Sequence, residues 1–223
     1  MISLQTEQLF DLSHTLAREL LLPCVNPWEA LPKLKEFILS LGAILSSEEY
    51  EQVSETVWIA KDATVASSAT ILGPCIVGHR TELRVGAYLR GSVLVGDDCV
   101  VGNSCELKNV ILFDRAQVPH FNYVGDSILG YRAHTGAGAV TSNVKSDKTN
   151  VTIRTPEGRL ETGLRKCGAM IGDRVEIGCG CVLNPGTVIG RDTTVYPLSS
   201  IRGTLPPGSI YKDPDHIVQK IQS

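Results

Sequence analysis

From Ile59 onward an aliphatic residue falls on every sixth position for nine consecutive beats: Ile59, Val65, Ile71, Val77, Leu83, Leu89, Val95, Val101 and Leu107. Neither the 3.6-residue period of a helix nor the alternation of a half-buried strand gives a beat of six. The fourth residue after each aliphatic is usually small: Ala63, Ala69, Cys75, Thr81, Ala87, Val93, Cys99 and Cys105. One large and one small residue per hexapeptide predicts a parallel β-helix with short, nearly flat walls. The aliphatic fills the interior and the small residue lets the corner close. Three hexapeptides make one coil, so residues about 18 apart become vertical neighbours.

With single-residue deletions the beat continues through Leu112, Val118, Val124, Leu129, Thr135 and Thr141. It lapses over about residues 142–169 and resumes at Ile171, Ile177, Leu183, Ile189, Val195 and Ile201. The β-helix therefore spans residues 50–206, in roughly seven coils. Within the excursion, the run from Val151 to Thr162 reads as a hairpin around Pro156-Glu157-Gly158. Residues 1–46 follow a different pattern. Leu9, Leu12, Leu16 and Leu20 share one helical face that ends at Pro23. A second helix is predicted from Asn26-Pro27-Trp28-Glu29, with Leu31, Leu34, Phe37, Ile38 and Leu41 as its apolar stripe and Gly42 at its end. Such a helical hairpin would cap the open end of the β-helix. In the tail, residues 207–223, Asp213-Pro214-Asp215 predicts a short helix reaching about Ile221.

Composition changes this picture in three places. A net charge of -3 and a pI near 6.0 argue against a general binder of nucleic acid or membrane surfaces. No apolar run approaches membrane-spanning length, and the chain reads as soluble and cytosolic. Four of the seven cysteines, Cys75, Cys99, Cys105 and Cys181, sit at the small hexapeptide position, leaving Cys24, Cys167 and Cys179. No CxxC pair occurs, which points to reduced thiols and to neither a disulfide framework nor a zinc site. The excursion holds six cations (Lys145, Lys148, Arg154, Arg159, Arg165, Lys166) against three acids (Asp147, Glu157, Glu161), so 6 − 3 = +3 locally. A cationic loop leaving an acidic prism reads either as a lid over an anionic ligand or as a hairpin packing on a neighbouring subunit.

Candidate chemistry follows from the stacking. Arg90 and Lys108 each come directly after an interior aliphatic and lie one coil apart, so they share a wall. Two cations at that spacing form a phosphate cradle unless Glu106 or a neighbouring acid neutralises them. His120 lies in Val118-Pro-His-Phe-Asn-Tyr-Val-Gly-Asp126, where bulky rings and a shortened hexapeptide interrupt the pattern. A neutral imidazole there can accept a proton from an amine, as a general base does. His79, His120 and His134 do not have the spacing of a shared tetrahedral metal site, and no metal is expected.

The repeat resembles the left-handed parallel β-helix acyltransferases. Within them, His120-Phe-Asn-Tyr-Val-Gly-Asp126 followed by Gly136-Ala-Gly-Ala-Val-Thr-Ser-Asn143 is similar to the C-terminal acetyltransferase domain of bifunctional sugar-1-phosphate nucleotidylyltransferase/acetyltransferases. The archaeal members share the further run at Glu161–Ala169. The resemblance covers about residues 50–212. Handedness is what the resemblance implies, since a period alone does not set it.

The resemblance further implies an N-acetyltransferase that uses acetyl-CoA as co-substrate on a hexosamine 1-phosphate, working as a homotrimer with sites between subunits. His120 corresponds to the base, and Tyr123 and Asn143 to groups that hold the amino sugar. Arg90 and Lys108 correspond to phosphate ligands, and the backbone N–H of Ala137 to an oxyanion donor on the thioester. Cys179, Pro197 and Lys212 fall where the bacterial enzymes contact acetyl-CoA. Two departures bear on function. Thr149 and Thr152 stand where the archaeal pattern favours Lys, with Lys145 and Lys148 displaced. The resembling proteins also carry a nucleotidylyltransferase domain that residues 1–46 are too short to replace, so no pyrophosphorylase activity is expected of this chain alone. The alternative is a non-catalytic trimeric module that binds sugar phosphate beside a separate nucleotidylyltransferase.

Overall fold

The computed structural model describes residues 4–221. The six-residue beat folds into three walls of short parallel strands, stacked coil upon coil. The first wall stacks Thr70–Leu72, Tyr88–Arg90, the leading halves of Glu106–Leu112 and Tyr123–Leu129, Val140–Thr141, Val182–Leu183 and Ser200–Ile201. The second stacks Val57–Ala60, Cys75–Val77, Val93–Val95, the trailing halves of the same two long strands, Ala169–Ile171, Thr187–Ile189 and Thr204–Leu205. The third runs from Thr64–Val65 to Ser209–Asp213. It is a nine-stranded sheet whose last member is antiparallel, so 9 − 1 = 8 parallel strands stack there, one coil beyond the seven predicted.

The aliphatics of the beat form the interior. Val77, Leu83, Leu89, Val95, Val101, Leu107 and their successors up to Ile201 are buried, joined by Cys75, Cys99, Cys105 and Cys181 at the small positions. All seven cysteines are free thiols. At the first coil the interior opens to solvent, and Val65 is 38% exposed.

The N-terminal segment corrects the expectation twice. It is not a hairpin of two regular helices. Its helical pieces are Thr6–Leu9, Leu12–His14, Arg18–Leu21, Pro27–Lys33 and Leu34–Gly42, and only the last exceeds seven residues. Nor does it close the end of the prism. Leu9 carbonyl accepts from the Asp173 N–H, and Asp11 N–H donates to the Asp173 carboxylate at 2.8 Å. His14 carbonyl accepts from the Asp114 N–H, and its ring stacks on Tyr131 at 3.8 Å. Pro27–Lys33 packs on Tyr123–Leu129, Leu34–Gly42 packs on Cys75–Val77 and Val93–Val95, and Gly42 lies against Trp58. The segment thus runs down the second wall from the late coils to the first.

The physical reason is a second apolar column. Strand residues alternate faces, so the one before each interior aliphatic of this wall points outward. Those residues are Trp58, Ile76, Leu94, Ile111, Ile128, Met170 and Val188, all buried beneath the N-terminal segment and the hairpin. An uncovered column of that length would be a large apolar patch.

The C-terminus also departs from expectation. Instead of a helix, His216–Gln219 pairs antiparallel with Ser209–Asp213. The Asp213 carboxylate accepts from the Asp215 N–H at 2.9 Å, which turns the chain back along the open edge of the last strand. At the other end Tyr50–Ser54 pairs antiparallel with Val57–Ala60 in the same manner. One wall is thus covered at each end, the second at the first coil and the third at the last, which blunts those two edges against further strand addition.

Candidate active site

Between the third and first walls the chain turns, on every coil after the first, through one residue in the left-handed region, and these corners stack. The Asn103 carbonyl accepts from Phe121 N–H at 2.9 Å, that of His120 from Gly138 at 3.0 Å, that of Ala137 from Gly180 at 2.8 Å, and that of Cys179 from Leu198 at 2.8 Å. Asn103, His120, Ala137, Cys179 and Pro197 therefore form one vertical line. The approach of successive coils requires glycine at its start. A Cβ on Gly136 would meet the Cys179 nitrogen at 2.5 Å, and one on Gly178 the Pro197 nitrogen at 2.4 Å.

The predicted residues on this corner take distinct settings. His120 is exposed, and its N–H donates to the Asn122 side-chain oxygen at 3.1 Å. Buried Asn122 in turn donates to the carbonyls of Gly136 at 2.8 Å and Ala139 at 3.2 Å, tying the His120 turn to the Ala137 turn. The Ala137 N–H meets no acceptor among the described residues, so it is free to donate outward. Cys179 and Pro197 are exposed, and Lys212 sits beside the line with its ammonium 5.8 Å from the Tyr196 ring centre.

The corner between the first and second walls carries the remaining predicted residues. Arg90 and Lys108 lie on the same wall on adjacent coils, as the spacing required. They are not a bare pair of cations. Arg90 donates to Glu106 at 2.6 Å, and Lys108 donates to Asp126 at 3.2 Å. Asp126, only 3% exposed, is the centre of this cluster. It also accepts from the Asn109 side chain at 2.8 Å and closely from the Asn143 side chain. The Asn143 amide reaches the Tyr123 hydroxyl at 3.2 Å. Burial first, and then the Asp126 charge, push the Tyr123 hydroxyl above its usual pKa, so it keeps a proton to donate. The Tyr123 ring lies across Gly125, where a Cβ would meet its oxygen at 2.5 Å.

Asp126 and Asn122 were visible in the sequence only as members of a motif. The signal that marks Asp126 is the deletion. Leu107 to Leu112 and Val124 to Leu129 are one residue short, and both deletions fall at this corner. There the turn shrinks to Asn109 and Asp126, each with positive φ, and the two side chains face each other. His79 and His134 lie elsewhere, paired with Asp62 and Glu176. Among the described residues no group of three or more metal-ligating side chains comes together.

The profile of the GMPPB C-terminal domain matches residues 71–155. Over 188 residues the chain is 31% identical to a bifunctional sugar-1-phosphate nucleotidylyltransferase/acetyltransferase of Sulfurisphaera tokodaii, covering 84% of this chain and 46% of that protein. Over 159 residues it is 30% identical to an uncharacterized acetyltransferase, YaiX, of Escherichia coli O6:K15:H31, covering 71% of this chain and 69% of the relative. The chain belongs to the hexapeptide-repeat acyltransferases. It spans about half the length of the bifunctional relatives it matches, including 48% of the protein GlmU of Methanococcus maripaludis at 30% identity and 87% coverage of this chain.

The excursion of this acyltransferase is the predicted hairpin, Thr152–Thr155 against Gly158–Glu161. Its base is anchored by buried Val151 and Ile153, which pack with Val188. The hairpin thus sits on its own prism and leaves a recess of about 420 Å³ against the late coils of the corner between the first and second walls. Among the described residues, no helix is long and apolar enough to cross a membrane.

Proposed function

We propose that this chain, as a homotrimer, transfers the acetyl group of acetyl-CoA to the amine of a hexosamine 1-phosphate. The observation that carries this reading is the corner line: His120, Ala137, Cys179 and Pro197 stack in the order that the family resemblance assigns to base, oxyanion donor and acetyl-CoA contacts. The amine nitrogen attacks the thioester carbon while the His120 imidazole takes the amine proton. The Ala137 N–H donates to the oxygen that becomes negative. The carbon–sulfur bond then breaks, and the proton held by His120 passes to the leaving thiolate. Asn143, held by Asp126, and Tyr123, whose hydroxyl Asn143 contacts, orient the sugar from the neighbouring wall. Cys179, Pro197 and Lys212 line the path of the acetyl-CoA chain.

For the sugar phosphate, Arg90 and Lys108 offer charge only by sharing it with Glu106 and Asp126. Each cation can still donate, because Arg90 is exposed and its guanidinium has further N–H groups. The test is thiol release from acetyl-CoA across a panel of amino sugars and their 1-phosphates. Turnover is expected with an amino sugar, falling by about 10²- to 10⁴-fold in His120→Asn. Undiminished turnover in that variant refutes the assigned base. Saturable binding of sugar phosphate with no turnover on any amine would favour the non-catalytic module.

A further inference from the structure

We propose that the recess under the hairpin is a second anion site that binds the phosphate or diphosphate group of a phosphorylated ligand. Four cations line it, Lys145, Arg154, Arg159 and Arg202, against one carboxylate, Asp147. Three features make this more than a charged surface.

The first is the hairpin itself. Arg154 and Arg159 are direct cross-strand partners, so two arginine side chains leave the hairpin on the same face. Like charges in that position repel unless an anion lies between them. The second is charge pairing. Lys145 meets Asp147 at 3.3 Å, whereas Arg154, Arg159 and Arg202 pair with no carboxylate among the described residues. The contact of Arg202 is with the neutral side chain of Asn184, at 3.0 Å.

The third is register. Arg202 directly follows interior Ile201, as Arg90 follows Leu89 and Lys108 follows Leu107, so it belongs to the same corner column. Lower in that column each cation is closed by an acid, Glu106 or Asp126. At the level of the recess the column ends in an open one. The base of the hairpin is fixed by Val151 and Ile153, both fully buried, and by the Thr162 hydroxyl donating to the Val151 carbonyl at 2.6 Å. The backbone that carries Arg154 and Arg159 is therefore anchored over the corner. A recess of about 420 Å³ on a chain of net charge -3 fits a small phosphate ester better than a polyanion. Planar guanidinium groups suit phosphate oxygens in a forked geometry.

The chemistry is common to a nucleoside diphosphate, the diphosphate of coenzyme A and a sugar 1-phosphate. Isothermal titration of the full chain with inorganic pyrophosphate tests the site without assuming any of them. Titrated in an Arg90→Gln background, so that the sugar-phosphate cradle does not contribute, one site per chain is expected, weakening with salt. The double variant Arg154→Gln/Arg159→Gln should lose about tenfold or more in affinity, since each lost charge-assisted contact at an exposed side chain is worth about a factor of three or more. Arg202→Gln should lose several-fold. Arg174→Gln, an exposed arginine already paired with Asp192, should leave binding unchanged.

Removing two opposed like charges should hold or raise the melting temperature of the ligand-free double variant. A lower one would show the arginines to be structural, bound to a neighbouring surface, and would overturn the proposal. So would undiminished pyrophosphate binding in the double variant, or no saturable binding by the native chain. Competition by a nucleoside diphosphate, coenzyme A or a hexosamine 1-phosphate then identifies the source, and failure of all three also overturns it. The titration is repeated in His120→Asn. The recess does not depend on turnover, so its result stands or falls apart from that of the transfer assay.

Discussion

Asp126→Asn keeps the shape of the side chain at the centre of the cluster of Lys108, Asn109 and Asn143 and removes its charge. Three donors converge on that carboxylate, from Lys108, Asn109 and Asn143. An amide in its place turns one oxygen into a donor facing another donor, and leaves the Lys108 ammonium without its counter-ion. Breaking a buried ion pair from one side costs about 3–5 kcal/mol. The Lys108 side chain is 28% exposed, so water recovers part of this, and about 2–3 kcal/mol is expected. For a chain of this length that is a fall of about 4–12 °C in Tm. Denaturant unfolding of Asp126→Asn, Lys108→Met and the double variant forms a cycle whose coupling should be about 1–2 kcal/mol. In kinetics, the displaced Asn143 and Tyr123 should lower kcat/KM for the amino sugar by about 10- to 100-fold, with KM for acetyl-CoA little changed. A single variant within about 0.5 kcal/mol of the native chain, or a coupling near zero, refutes the idea that Asp126 organises this corner.

Three further outcomes follow from the packing and the charges. Of the seven cysteines only Cys179 is exposed, so a thiol reagent should label one site on the folded chain, and acetyl-CoA should slow that labelling. Mass spectrometry of the labelled peptide checks it. Ile111→Ala empties a fully buried place under the N-terminal segment and should cost about 2–5 kcal/mol, with protease cleavage appearing first within residues 1–46. The Arg174–Asp192 pair at 2.6 Å holds the Asp192 carboxyl below its ordinary value through the Arg174 hydrogen bond. A depressed acid contributes stability above its unfolded pKa of about 3.9 and loses it as pH falls through the folded value. Arg174→Gln should therefore cost about 0.5 kcal/mol at pH 7, and the difference should vanish in acid unfolding curves below about pH 3.

The repeat was legible because a β-helix is nearly one-dimensional. Each hexapeptide meets the same local constraints, so period six and the residues eighteen apart carried most of the interior and the shared wall of Arg90 and Lys108. His120, Ala137, Cys179 and Pro197 were named through the family resemblance, and their common line emerges only from the stacking of the folded coils. The hairpin around Pro156-Glu157-Gly158 was legible for a similar reason, since its turn chemistry is local.

What the chain conceals from such a reading is every contact between parts distant in sequence. The outward column from Trp58 to Val188 is written in the strands, as apolar triplets such as Val93-Leu94-Val95, but only tertiary packing decides that residues 4–42 cover it. Helix propensity in those residues yields to the shape of the wall, which breaks them into short turns. The tail becomes a strand because an unpaired edge offers hydrogen bonds that a short isolated helix cannot match. Asp126 likewise gains its place from two deletions that bring corners of successive coils together. The amino-acid sequence determined the prism and the vertical order of its chemistry. The tertiary structure decided which charges are closed by acids, at Arg90 and Lys108, and which stay open, at Arg154, Arg159 and Arg202, because the repeat offers vertical neighbours but only the folded side chains show which acid reaches which cation.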